Sequence, residues 1–146
     1  MSEFPEYERQ AIALDVGDAR IGIAGADPTG LIATPLDALK RTTEADDVER
    51  ILQIAREQTA GRIVVGLPLS LDGSRGPQAR KVLRFTKALR TAAELPVESW
   101  DERYSTAEAE RLLRAAGEEP SRDRARLDSV AAAVILQAYL DAHRTT

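Results

Sequence analysis

The chain has no cysteine and a single histidine, His143, three residues from its end. Disulfides and thiolate zinc sites are therefore excluded, and a His-rich metal centre or a Ser-His-Asp triad all but excluded. Any metal would have to be a hard cation held by oxygen. Aromatic residues are scarce, at 4%, and Phe85 and Trp100 read as core. No stacking platform for single-stranded bases is in sight. No apolar run approaches the ~18–20 residues that span a bilayer. The opening "MSEFPEYERQ" is polar and acidic, unlike a signal or transit peptide. The expectation is a cytoplasmic protein with no membrane partner; the sequence leaves its oligomeric state open.

What is present suits one domain over residues 1–146. At 43% hydrophobic, 146 residues can bury a sizeable core. The net charge of −4 is unevenly spread. Residues 1–73 hold 7 Lys/Arg against 13 Asp/Glu, and residues 74–146 hold 13 against 11. Ser74–Arg90 contains six basic residues and no acid, a hint of an anionic partner.

Apolar runs at 11–16 and 21–26, linked through Gly17-Asp18, read as a hairpin. "LIATPLDAL" (31–39) reads as a third strand, placed at an edge by Pro35. Residues 43–61 read as a helix capped by Thr43, with an acidic first turn, an apolar stripe and a stop at Gly61. "RIVVGLP" (62–68) suits a central parallel strand buried on both faces. In the helix at 78–94, Val82, Phe85 and Leu89 share one face and Arg80, Arg84 and Lys87 the opposite one. "PVESW" is a fifth strand, "STAEAERLLRAAG" a helix from Ser105 with a capping-box pattern, 117–126 a polar loop, and 127–143 the last helix. The order predicts an α/β fold: a mixed five-stranded sheet, with a three-strand antiparallel meander and helices on both faces.

Three acids stand at element edges. Asp15 ends the first strand, Glu102 follows the fifth, and Asp128 opens the last helix. Each has a plain alternative: Asp15 as a turn former, Glu102 as solvated surface, Asp128 as a helix cap. If the first strand is central, the three converge at one sheet edge, where ligands gather in open α/β folds. Gathered without counterions they would repel one another and raise their pKa values. Divalent cations resolve that conflict, and an all-oxygen donor set suits Mg²⁺ or Mn²⁺. The usual chemistry of such a site is phosphodiester hydrolysis with two ions roughly 3.5–4 Å apart. "GLPLS" after the fourth strand could let a phosphate approach, but it is not a Walker motif.

Four stretches, "ALDVGDARIGIAGAD", "RIVVGLPLSLDGSRGPQA", "LPVESWDERYSTAEAERLL" and "RLDSVAAAVILQAYL", carry a resemblance over roughly Ala11 to Leu140. The chain resembles the YqgF/RuvX family of RNase H-fold nucleases, described as Holliday junction resolvases or as nucleases maturing the small-subunit ribosomal RNA precursor. The resemblance implies an RNase H-like fold and a hydrolase dependent on Mg²⁺ or Mn²⁺. Its metal-binding, catalytic acids fall on Asp15, Glu102 and Asp128. Arg20, Arg103 and Arg126 match family basic positions, and Ser105 and Thr106 its hydroxyl pair. Asp18 departs from the pattern by adding a negative charge. Gly66-Leu67-Pro68 stands where many RNase H-fold nucleases carry a carboxylate, so Glu102 has to take that role. On this reading a metal ion faces Asp15, and the glycines let nucleic-acid backbone approach.

The expected function is a nuclease on structured nucleic acid, maturing the 5′ end of the small-subunit rRNA precursor. Arg20, Arg103, Arg80, Arg84, Lys87 and Arg126 are the candidate nucleic-acid contacts. Junction resolution on DNA and a non-catalytic RNA-binding assembly factor are the alternatives. An ATP-using protein of the actin class needs two related domains, more than 146 residues supply.

Overall fold

The computed structural model describes residues 10–104 and 124–143. Five strands, β1 (Ala11–Val16), β2 (Arg20–Ala26), β3 (Ala33–Lys40), β4 (Arg62–Leu67) and β5 (Val97–Asp101), form one sheet in the order β3-β2-β1-β4-β5. The pairs β1–β2 and β2–β3 are antiparallel, and β1–β4 and β4–β5 are parallel. The mixed sheet and the meander are thus as expected, with β1 at the centre. Pro35 does lie on the edge strand, next to a register shift at Ile23/Ala24, where a missing ladder N–H costs least.

Strand alternation sorts the core by size. Ile12, Leu14 and Val16 of β1 join Ile63, Val65 and Leu67 of β4 on one face. There they meet α1 (Glu44–Glu57) and α2 (Pro77–Ala92) through Val48, Ile51, Val82, Phe85 and Leu89. Each such side chain contributes about 1.5–3 kcal/mol by leaving water. The other face is lined by Ala11, Ala13, Ala24 and Ala33, and covered by α3 (Arg124–Ala142) through Ala132, Ala133, Leu136 and Tyr139. Small residues on both sides bring this helix close. At Gly22 the approach is so tight that a Cβ would overlap the backbone carbonyl of Asp128.

Several boundaries differ from the sequence reading. Helix α1 ends at Glu57, before Gly61, and Thr59 takes the left-handed conformation at φ 54°. The Ala60 N–H then reaches the Ala55 carbonyl and Thr59 N–H the Arg56 carbonyl, a Schellman closure without glycine. Helix α3 begins at Arg124, so residues 124–126 are helical rather than loop and Asp128 lies in the second turn, not at a cap. Thr43 does cap α1, accepting from the Asp46 N–H at 3.1 Å. The helix expected from Ser105 lies outside the described residues.

Candidate active site

Asp15 is the next-to-last residue of β1, paired with Gly22 of β2. Alternation with Ala11 and Ala13 turns its side chain to the α3 face. There, two turns' worth of geometry decide what it meets. Because Gly22 has no side chain, the second turn of α3 settles on β2 and brings Asp128 beside Asp15. On the other flank, Leu14 pairs with Val65, so Gly66 comes one step further along β4, level with Asp15. Gly66 is bare, and the Glu102 side chain lies over it, its Cγ 3.2 Å from where a Cβ would stand. A residue past the end of β5 thereby reaches across β4 towards Asp15.

Electrostatics report the same proximity. Burial, with the Asp128 charge adding to it, pushes the Asp15 carboxyl up to about 6. Burial, then Asp15 and then Asp101, pushes Glu102 up to about 7. Asp15 is thus the middle member, coupled to both of the others. Among the described residues no three acidic or imidazole side chains are already closed into a metal cage. Asp128 Oδ2 accepts a 2.6 Å hydrogen bond from Arg20 Nε. The donor set nonetheless fits a hard divalent cation: it is all oxygen, partly desolvated and in mutual repulsion.

The basic residues divide. Arg20 is within the acid cluster, held by Asp128. Arg103 forks onto Asp101 (Nη2 to Oδ2 2.7 Å, Nε to Oδ1 3.1 Å) and donates from Nη1 to the Leu71 carbonyl at 3.2 Å. Its hydrogen bond and charge hold the Asp101 carboxyl below its ordinary value despite partial burial. Arg103 is therefore a brace for the β4–α2 loop as well as a neighbour of Glu102. Arg80, Arg84 and Lys87 are exposed on α2 as a ridge, but α2 packs on the face opposite Asp15. Arg84, with Arg41 and Lys81, lines a polar cavity of about 310 Å³ there. Ser105, Thr106 and the side chain of Arg126 lie outside the described residues.

Two further corrections concern the glycines and Asp18. Gly22 and Gly66 make room for the chain's own α3 and Glu102, not for nucleic acid. Asp18 adds no charge to the acid cluster; it meets Lys81 at 3.3 Å. A residue the sequence reading passed over is Asp47. Fully enclosed at the start of α1, it accepts from Arg41 Nε (2.9 Å), Thr42 N–H (3.0 Å) and Thr42 Oγ1 (2.8 Å). Arg41 also donates to the Gly17 carbonyl at 2.8 Å and lies 5.0 Å over the Phe85 ring. Asp47 so fixes the turn that follows Asp15; its position in an acidic first turn gave only a dipole explanation.

A meander followed by parallel strands, with carboxylates at the central strand's edge, defines the class of RNase H-fold nucleases. The chain belongs to the RuvX family, described as Holliday junction resolvase, which it matches over residues 9–142. A protein of Trichormus variabilis is 49% identical over 135 residues, covering 92% of this chain and 89% of its own. One of Chloroflexus aurantiacus is 44% identical over 134 residues, covering 92% and 88%. Both carry the name "Putative pre-16S rRNA nuclease". The fold is shared with Thermus thermophilus RuvC in complex with a Holliday junction substrate (TM-score 0.58, 19% identity, 90% of this chain and 96% of that one). It is shared too with the fowlpox virus resolvase in complex with junction DNA (TM-score 0.55, 10% identity, 91% and 97%).

Proposed function

We propose that this chain is a divalent-metal-dependent nuclease that hydrolyses phosphodiester bonds in structured nucleic acid, with the 5′ end of the small-subunit rRNA precursor as its substrate. The observation that carries this reading is Asp15 between Asp128 and Glu102, its carboxyl raised by burial and by Asp128, and that of Glu102 by burial and by Asp15 and Asp101. Asp15, Glu102 and Asp128 would hold two ions, Mg²⁺ or Mn²⁺. Such ions supply an activated water and polarise the scissile phosphate. The chain's own part is to place the oxygens. Gly66 and Gly22 leave the space that lets Glu102 and Asp128 reach Asp15, and Arg20 orients the Asp128 carboxylate. Asp15 and Glu102 would have to be deprotonated to hold a cation, so loading would weaken as pH falls below about 6–7.

The names of the relatives support RNA, and the family description supports a junction-cutting alternative. Resolution of a junction needs two sites related by two-fold symmetry. A cleavage panel of precursor 16S rRNA, single-stranded RNA and a four-way DNA junction, each with Mg²⁺ and with Mn²⁺, separates them. Cleavage of the precursor RNA is expected. Symmetric cutting of the junction with the RNA left intact replaces the RNA reading by the resolvase one, and RNA binding with no cleavage in either metal leaves an assembly factor.

A further inference from the structure

The β1–β2 turn, the start of α1 and the first half of α2 enclose a polar cavity of about 310 Å³. It lies on the α1/α2 side of the sheet, and none of Asp15, Glu102 and Asp128 lines it. Hydrogen bonds fix its walls. Gln78 Nε2 donates to the Val16 carbonyl at 3.3 Å, tying α2 to the end of β1. Arg41 donates from Nη1 to the Gly17 carbonyl at 2.8 Å and from Nε to Asp47 at 2.9 Å. Its guanidinium lies 5.0 Å over the Phe85 ring. The volume is at the lower end of the range for small-ligand sites, roughly 300–1,000 Å³. It suits one nucleotide unit and excludes a duplex.

The lining is chemically mixed. Arg41, Lys81 and Arg84 bring cations to it from two parts of the chain, and Lys81 and Arg84, one turn apart on α2, are neighbours on its surface. Arg84 makes no hydrogen bond or ion pair among the described residues. Lys81 holds Asp18 at 3.3 Å with both side chains more than half exposed, a weak pair that an incoming anion can open. Such donors bind phosphate. Two carboxylates, Asp18 and Glu44, line the cavity as well. They would repel a bare anion, but they accept hydrogen bonds from hydroxyls, as acidic residues accept them from a ribose in dinucleotide sites. We propose that this cavity binds one nucleotide unit, a ribose carrying a terminal phosphate monoester, with Lys81 and Arg84 on the phosphate and Glu44 on the ribose hydroxyls. A free nucleotide and a phosphorylated strand end both present that chemistry. The site is separate from the acid cluster and stands without the nuclease reading.

Titration calorimetry on the full chain in EDTA tests this with no metal and no cleavage. The probes are AMP, adenosine, orthophosphate, and a tetranucleotide with either a 5′-phosphate or a 5′-hydroxyl. AMP should bind, and adenosine and orthophosphate should each bind about tenfold more weakly or worse, since each lacks half of what is recognised. K81A/R84A, altered only at exposed positions, should keep its melting temperature and bind AMP about tenfold more weakly or worse. E44A should lower the preference for AMP over orthophosphate about threefold or more. D15N should bind AMP as the parent does, so nucleotide binding and cleavage succeed or fail separately. A 5′-phosphorylated tetranucleotide that binds like AMP, with its 5′-hydroxyl form unbound, makes strand ends the occupant; AMP binding with neither tetranucleotide bound makes it the free nucleotide. The proposal is overturned if AMP shows no binding up to about 10 mM, or if adenosine or orthophosphate binds as tightly. It is equally overturned if both tetranucleotides bind alike, or if K81A/R84A leaves the AMP affinity unchanged.

Discussion

Arg20 Nε donates to Asp128 Oδ2 at 2.6 Å, joining β2 to α3 across 108 residues of sequence. Both side chains are about a third exposed, 30% and 31%. Solvent therefore screens the pair, and its stabilisation is small, about 1 kcal/mol or less. Its effect on the orientation of Asp128 is the larger matter. R20A should leave the melting temperature within a few degrees of the parent while cleavage falls about 10–100-fold, as for residues that orient metal ligands. R20K, which keeps the charge but loses the planar fork, should recover part of the rate. Thermal unfolding and initial rates on one RNA substrate check both parts.

The two sheet glycines give an ordered pair of outcomes. A Cβ at Gly66 would come within 2.5 Å of Ile135 Cδ1 and 3.2 Å of Glu102 Cγ, both flexible side-chain atoms. G66A should cost about 1–3 kcal/mol and lose cleavage well beyond what that destabilisation explains, because Glu102 is displaced. A Cβ at Gly22 meets the Asp128 backbone, which cannot swing aside. G22A should be the more destabilising of the two. Urea unfolding ranks them; equal stability, or a fully active G66A, contradicts the packing described.

Proton linkage has opposite signs at two places. Asp15 and Glu102 are raised from 3.8 to about 6 and from 4.5 to about 7. In those windows the folded chain binds protons that the unfolded chain has released, so these two groups make stability fall as pH rises. Without metal, raising the pH from about 4 to about 7 should erode stability through them, and Mg²⁺ or Mn²⁺ should restore it at the upper end. D15N/E102Q should flatten this dependence. Denaturant unfolding with and without metal measures it.

Asp47 behaves in reverse. Burial alone would raise it, but hydrogen bonds from Arg41 and Thr42, with the Arg41 charge, hold it below its ordinary value. Its contribution is present above the unfolded pKa and lost as pH falls through the folded one. D47A strips the partner from Arg41 and the Thr42 N–H and should cost about 3–5 kcal/mol. A loss under about 1 kcal/mol would show that the network is replaced by water.

The fold was legible because its signals are local and consistent. The Gly17 turn between two apolar runs, the Thr43 cap and the uninterrupted "RIVVGL" each name an element without help from elsewhere. Asp15 could be singled out for the same reason: a carboxylate at the end of an apolar strand is conspicuous. Glu102 was harder, since "DER" reads as solvated surface until Gly66, on another strand, is seen to give it space. Helix α3 reaches back to Arg124, earlier than the sequence suggests, because "RAR" (124–126) continues the polar composition of the stretch before it and carries no apolar period of its own. The α2 ridge was correctly placed on one side of its helix. Which layer that helix joins depends on the crossover between β4 and β5, and helical periodicity carries no information about it.

The central claim is that Asp15, Glu102 and Asp128 act together on the scissile phosphate. The most direct measurement is the Mg²⁺- or Mn²⁺-supported cleavage rate of precursor 16S rRNA by D15N, with circular dichroism confirming the fold. Asp15 lies between the other two acids, and Asn keeps its shape while removing the charge. The rate should fall by more than about a hundredfold, with E102Q and D128N behaving alike. A folded D15N protein that cleaves as fast as the parent would contradict the assignment.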